Sequence, residues 1–255
     1  MRFRIDRLEQ NRKGRDLLVG DIHGCADKLL RQLARINFDA KRDRLFILGD
    51  LIDRGPLPLQ VLALLDEPWC FAISGNHEDA LLSFEAGLLD AEQILSNGAN
   101  WFLALSQHQQ YAVLERLKRL PVAIELQTAT GPLGLVHAEC PTDSWSQFVE
   151  ALRNRDEHVR VQAMWSRKRI KSGRTSWVYD LRAVVAGHTP VPEMQWLGNT
   201  LYIDTGAWAD PDSDRTSFCM LDAATLESAE TILPGRSRSP SRRFSVSASA
   251  SQTGV

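Results

Sequence analysis

The sequence predicts an α/β fold organised around a parallel sheet, and two observations lead there. Short apolar runs alternate with helical patterns over residues 16–74. Leu17-Leu18-Val19, Leu45-Phe46-Ile47-Leu48 and Phe71-Ala72-Ile73 read as strands, and the segments between them carry apolar residues at i, i+3 and i+4 spacing. A strand–helix–strand–helix–strand order needs crossover connections, which make the strands parallel. Each run also leads into a glycine followed by Asp or Asn, as Gly20-Asp21, Gly49-Asp50 and Gly75-Asn76. Sites in parallel sheets lie beyond the carboxyl ends of the strands, and these three segments all fall there.

The elements follow in order. Residues 1–15 read as an N-terminal extension and 16–234 as one catalytic domain. The first helix covers Lys28 to Arg35, and the second runs from Leu59 to Leu65, opened by Pro58. A third follows the Asn76 segment over Glu78–Leu89. Tyr111–Leu120 has apolar positions at 113, 114, 117 and 120 and is stopped by Pro121. Later strands are Val122–Ile124, Leu133–Val136, Ala183–Ala186, Leu201–Ile203 and Ser217–Leu221. Residues 235–255 are Arg, Ser and Ala with almost nothing to bury, and read as a disordered tail. Within it Arg242-Arg243-Phe244-Ser245 has a phosphoacceptor pattern, but a solvated tail of no specific role is the simpler reading.

Composition narrows the function. The chain has 255 residues, 44% of them apolar, enough for one well-filled core. The formal net charge of −2 gives no reason to expect a nucleic-acid partner. The tail holds Arg236, Arg238, Arg242 and Arg243 and no acid, so the rest is more acidic than that figure. No apolar stretch approaches the roughly 20 residues of a membrane span. The N-terminus has charges but no apolar signal core. Cys25, Cys70, Cys140 and Cys219 form no CxxC pair, which speaks against a zinc ribbon or a disulfide framework. A cytoplasmic protein without a membrane partner is expected. Cys25 directly follows the first polar segment; a small buried residue is the simpler reading of it than a redox-sensitive thiol.

The polar segments carry the chemistry. They are Gly20-Asp21-Ile22-His23-Gly24, Gly49-Asp50-Leu51-Ile52-Asp53-Arg54-Gly55, Gly75-Asn76-His77-Glu78, Val136-His137 and Gly187-His188-Thr189, with Trp165-Ser166-Arg167 before the last. One Asp-x-His is weak evidence; the ordered set is specific. Asp, His and Asn are oxygen and imidazole donors that suit Mn, Fe or Zn and exclude a thiolate site. Two cations held close together can share one carboxylate and acidify a water between them. Asp50, on the middle early strand, is the expected bridge. Asp21 and His23 would complete one metal, and Asn76, His137 and His188 the other. His77 is expected to point away from its neighbour Asn76, toward substrate, and to protonate the leaving oxygen with Asp53 holding its other ring nitrogen. Arg54 would clamp a phosphate, and Arg167 could be a second clamp, although its basic stretch Arg167-Lys168-Arg169-Ile170-Lys171 also reads as a solvated face. Gly24, Gly49, Gly55 and Gly75 would let the backbone turn sharply. His108 and His158, in polar surroundings, are assigned to the surface.

These segments resemble the phosphoprotein phosphatase superfamily of calcineurin-like metallophosphoesterases, most of all its bacteriophage lambda-type and bacterial serine/threonine phosphatases. Tyr202-Ile203-Asp204-Thr205-Gly206 and Asn97-Gly98 followed by Trp101-Phe102 add to the likeness, which covers roughly residues 14–222. The resemblance implies an α/β/β/α sandwich and two divalent ions, most often manganese. It implies metal ligation by Asp21, His23, Asp50, Asn76, His137 and His188, the acid pair His77 and Asp53, and phosphate binding by Arg54 and Arg167. It implies dephosphorylation of phosphoproteins by direct attack of a metal-bridging hydroxide. Symmetrical diadenosine tetraphosphate hydrolases share most of the motifs but tend to lack an Asp at the position of Asp53; Asp53 and Glu78 favour the phosphatase branch. A non-catalytic phosphoprotein-binding module is disfavoured by the complete ligand set.

Overall fold

Alternation along the strands builds a four-layered molecule. The structure, a computed structural model, describes residues 3–213 and 216–229. The tail expectation for 235–255 lies outside the described residues. Four strands form one sheet: β2 (Asp16–Val19), β3 (Arg44–Ile47) and β4 (Cys70–Ala72) in parallel, with β10 (Met220–Asp222) antiparallel to β2 in the order β10-β2-β3-β4. Six strands form the other: β1 (Ile5–Leu8), β5 (Ala123–Leu126), β6 (Leu133–Val136), β7 (Ala183–Ala186), β8 (Gln195–Leu197) and β9 (Thr200–Tyr202), in the order β1-β5-β6-β7-β9-β8.

Successive residues of a strand face opposite sides, and here each side meets a different core. Leu18, Phe46 and Leu48 of the smaller sheet pack against Leu133, Leu135, Val185 and Leu201 of the larger, so the two sheets are face to face. Leu17, Val19, Leu45 and Ile47 point the other way, onto α1 (Ala26–Arg35), α2 (Pro58–Leu64), α3 (Asn76–Glu85) and α6 (Gln107–Leu117). Val136, Val184 and Tyr202 cover the far side of the larger sheet, under α7 (Trp145–Arg153) and α8 (Glu157–Trp165). This is the α/β/β/α sandwich expected from the resemblance.

The early β-α-β-α-β unit is parallel as its spacing requires. The expected third helix begins earlier, at Asn76, and ends at Glu85, before Gly87 with its φ of +72°. The last strand is shifted to Met220–Asp222. Residues 5–8, inside the expected N-terminal extension, pair in parallel with β5 as an edge strand. Their sequence, Ile-Asp-Arg-Leu, is half charged, and β8 exposes Gln195 and Trp196. Such edge strands carry little periodic signal, and neither was read from the sequence. Also unread were α4 (Ala91–Ser96), α5 (Asn100–Leu103), α7, α8 and α9 (Lys168–Ser172).

Gly134 shows how tightly the outer layer sits. A Cβ there would lie 2.6 Å from both Leu181 Cδ1 and the Trp145 ring, so the strand is bare where α7 lays its tryptophan on it. Gly134→Ala should destabilise the fold by about 1–3 kcal/mol through overpacking, read as a lower urea midpoint. An unchanged midpoint would show that Trp145 is not seated against this strand.

Candidate metal centre

The five segments with expected metal ligands leave the carboxyl ends of strands at the seam between the sheets, while Trp165-Ser166-Arg167 follows α8. Asp21 and His23 follow β2, Asp50 follows β3, Asn76 follows β4, His137 follows β6 and His188 follows β7. The structure brings these six side chains together, all buried. The Asp50 carboxylate lies between two groups. Its Oδ2 is 3.5 Å from His23 Nε2, and its Oδ1 is 3.4 Å from His137 Nε2. Asp21 Oδ2 is 4.0 Å from His23 Nε2. His137 Nε2 is 3.0 Å from Asn76 Oδ1 and 3.1 Å from His188 Nδ1.

Hydrogen bonds orient the imidazoles. His23 Nδ1 faces the Ile52 carbonyl at 2.9 Å and His137 Nδ1 the Leu48 carbonyl at 2.7 Å. Each carbonyl takes the ring proton and turns the Nε2 lone pair inward, the usual arrangement of a histidine that ligates metal. His188 presents Nδ1 instead, with Nε2 lying 3.3 Å from the Trp165 carbonyl. Across the seam, the His188 N–H donates to Asp21 Oδ1 at 2.9 Å.

The donor set fits divalent cations. His23 Nε2 is buried with no hydrogen-bond partner, although two carboxylates face it. Burial, against the pull of Asp50, holds His23 down at about 3, so it meets those carboxylates as a neutral lone pair. Burial and then Asp204 raise Asp21 well above the carboxylate range. Crowded lone pairs and carboxylates of this kind call for positive charge. A proton competes for the same place: burial opposes charge on His137, but Asp50 and Asp21 outweigh it and push its pKa up to about 10.

The expected acid pair and clamps surround this cluster. His77 Nδ1 is 2.6 Å from Asp53 Oδ2, and both residues are buried. Burial disfavours the imidazolium, but Asp50 and the Asp53 hydrogen bond outweigh it, so the His77 pKa is raised. His77 Nε2 is 3.8 Å from Asp50 Oδ2 and 3.2 Å from Arg54 Nη2. The cluster of imidazole and carboxylate donors thus takes in His77 beside His23 and Asp50. The guanidinium at its free nitrogen, however, disfavours a cation there. Arg54 is exposed and its guanidinium lies 4.3 Å over the Trp208 ring. Arg167 Nε is 3.2 Å from His188 Nε2. Asn76 and His77 occupy the first turn of α3 rather than a loop, so the helix sets their divergence.

Backbone strain concentrates here. His23, Asp50, Asp53, Arg54 and His188 all have φ between +45° and +67°, a region that costs non-glycine residues about 1–2 kcal/mol each. Of the expected turn glycines, Gly49 does adopt φ +93°. Gly75 is extended; its bare α-carbon is needed because a Cβ would collide with Asp50 Oδ1. Cys25 is buried, which pushes its thiol up to about 11 and agrees with a small packed residue. His108 and His158 are exposed.

Glu78, in the sequence a marker of the phosphatase branch, has a structural role beside the cluster. It is fully buried and accepts the N–H of Gly75 at 2.7 Å, Leu51 at 2.8 Å and Asp50 at 3.0 Å, which splices the loop after β3 to the start of α3. Burial and then Asp50 push it up to about 7. Its place three residues after a helix-starting glycine is the available signal, that of a capping box. Asp204 has no role assigned from the sequence. It accepts the Gly206 N–H at 2.8 Å and leaves Oδ2 buried without a partner. Glu78→Gln sets an amide N–H against backbone donors. It should cost about 2 kcal/mol of stability and about tenfold in metal affinity, read by denaturation and metal titration; no change in either would remove the splicing role.

Comparison with known proteins agrees with this geometry. Calcineurin-like phosphoesterase is the family that matches, over residues 15–199. Serine/threonine-protein phosphatase 1 of Salmonella typhimurium is 37% identical over 74% of this chain and 85% of its own length. The symmetrical bis(5'-nucleosyl)-tetraphosphatase of Yersinia pestis is 47% identical over 53% of this chain and 52% of its own. A solved structure provisionally named a diadenosine tetraphosphatase superposes with a TM-score of 0.58, at 22% identity, over 80% of this chain and 89% of that one. With its sandwich fold and its Asp, His and Asn cluster at the seam of the sheets, the chain belongs to the calcineurin-like phosphoesterase family and is a hydrolase.

Proposed function

We propose that the protein is a phosphomonoesterase acting on phosphoserine and phosphothreonine in proteins, with two divalent ions, manganese by preference. The observation that carries the reading is the 2.6 Å His77–Asp53 pair standing beside the Asp50-centred cluster. Asp21, His23 and Asp50 would hold one ion, and Asp50, Asn76, His137 and His188 the other. When bound, such a pair supplies Lewis acidity and an activated water. The chain's own groups do the rest. Arg54 and Arg167 flank the cluster and bind the phosphoryl oxygens as charge builds on them. His77 gives its proton to the departing alkoxide, and Asp53 orients the ring and supports its charge. Serine and threonine alkoxides are poor leaving groups, so a monoesterase needs this donor. The likeness to a serine/threonine phosphatase, over 74% of this chain and 85% of that protein, supports the same substrate class.

The second reading, hydrolysis of dinucleoside tetraphosphates, is favoured by the 47% identity over roughly half the chain. Manganese-dependent phosphate release from a phosphoserine peptide, abolished by a chelator, with diadenosine tetraphosphate untouched, is the expected outcome. Cleavage of the dinucleotide with an inert peptide would overturn the proposal.

Asp53→Asn should lower kcat on the peptide about 100-fold at unchanged metal content. The sign of its pH effect follows from the pair. Asp53 helps to raise the His77 pKa, and a general acid is lost as pH rises through its pKa, so the alkaline limb should move to lower pH. Unaltered turnover would show that Asp53 has no part in proton donation. Arg167→Met should raise KM for the peptide about tenfold by removing a charged hydrogen-bond donor. An unchanged KM would take Arg167 off the phosphate.

A further inference from the structure

Asn97-Gly98 and Trp101-Phe102 have no part in the functions assigned above, yet the structure places Gly98 and Trp101 against Asp53 and Arg54. The first pair forms the turn after α4 and the second lies on α5. Asp53 has two carboxylate oxygens and both are engaged: Oδ2 by His77 Nδ1 at 2.6 Å, and Oδ1 by the Trp101 indole Nε1–H at 2.7 Å. Asp53 is 1% exposed, so the indole proton replaces water on the far side of the carboxylate. Gly98 has φ +98°, and a Cβ there would sit 3.0 Å from the Arg54 backbone nitrogen, which lets the turn close directly onto Asp53-Arg54. Phe102 is buried in the core beneath and meets the Trp101 ring edge-on at 5.8 Å between centroids. The anchor, the bare turn and the donor form one clamp.

We propose that Trp101 is a positioning residue for proton donation. It holds the Asp53 carboxylate toward His77 so that the proton reaches the leaving oxygen, and the clamp therefore matters in proportion to how poor the leaving group is. The inference rests on the phosphomonoesterase reading. A carboxylate left with one partner in a buried site can turn or recruit water, and the imidazole it orients then loses its aim. Core packing alone would require the ring but not its N–H, and would not distinguish substrates.

The test uses the full chain loaded with manganese. Trp101→Phe keeps a ring and deletes the donor. On a phosphoserine peptide its kcat should fall about tenfold, the loss of one hydrogen bond to a charged group, with KM and bound manganese unchanged. On p-nitrophenyl phosphate, whose leaving group needs little protonation, kcat should stay near wild type. In an Asp53→Asn background Trp101→Phe should cause no further loss, because the indole acts through Asp53. Trp101→Leu, which removes the donor without placing anything against Arg54, should show the same substrate-selective loss, and it decides the matter if Trp101→Phe does not fold. Equal losses on both substrates, additive losses with Asp53→Asn, or no loss on the peptide would overturn the inference. A wild-type enzyme inert toward the peptide would overturn the monoesterase reading itself, whereas an active wild type with an undiscriminating variant overturns this inference alone.

Discussion

The site depends on one buried carboxylate. Asp50 sits 2% exposed where the two sheets meet, with an imidazole facing each of its oxygens. An isolated buried carboxylate is expensive and must be compensated. Here burial alone would raise its pKa, yet His137 and His77 hold it well below the ordinary range. The residues that supply this compensation come from both sheets, since Asp50 and His77 follow strands of the smaller (β3 and β4) and His137 follows β6 of the larger. The charge therefore ties the packing of the sandwich to the assembly of the centre. A sandwich that slid along its seam would separate Asp50 from His137 and leave the charge without its partner.

The second constraint is steric. Six or more side chains cannot converge on so small a volume with relaxed backbone on every strand end. Five of the residues there are held at positive φ, and Gly75 and Gly187 are bare because Asp50 and Asp21 occupy the space of their Cβ atoms. Such strain persists only where the surroundings over-determine it. Glu78 is part of that over-determination, with its three backbone N–H contacts. Asp79, next to it on α3, is another part: it pairs with the buried Arg160 at 2.6 Å and accepts the Trp165 indole N–H at 3.0 Å. Through those contacts the helix that carries Asn76 and His77 is tied to α8, and α8 ends just before Arg167.

The two aspartates of the loop after β3 have different partners, although His77 touches both. Asp50 faces the imidazoles at the centre, while Asp53, three residues on, turns to His77 and Trp101. The Asp53-Arg54 step lies in the left-handed region at both residues, which puts the carboxylate inward and the guanidinium outward over Trp208. One short loop thus presents a buried carboxylate and an exposed guanidinium from adjacent positions.

The fold class, the parallel early strands and the convergence of the Gly-Asp and Gly-Asn steps on one place are legible along the chain. Those depend on local signals: apolar runs of strand length, helical spacing, and Gly-Asp or Gly-Asn steps at strand ends. The Asp, His and Asn side chains of these segments converge where the sheets meet. Local signal faded at the margins of the fold. The charged edge strand at 5–8 and the exposed strand at 195–197 lack the alternation of buried strands, and α3 began at Asn76 because Glu78 caps a turn that reads as loop. Tertiary structure alone decided how the two sheets meet, that Glu78 braces the backbone of Asp50, and that Trp101 reaches Asp53 from 48 residues away. These are contacts between distant segments, fixed by which buried polar atoms find partners when the layers close. No periodicity along the chain encodes that choice.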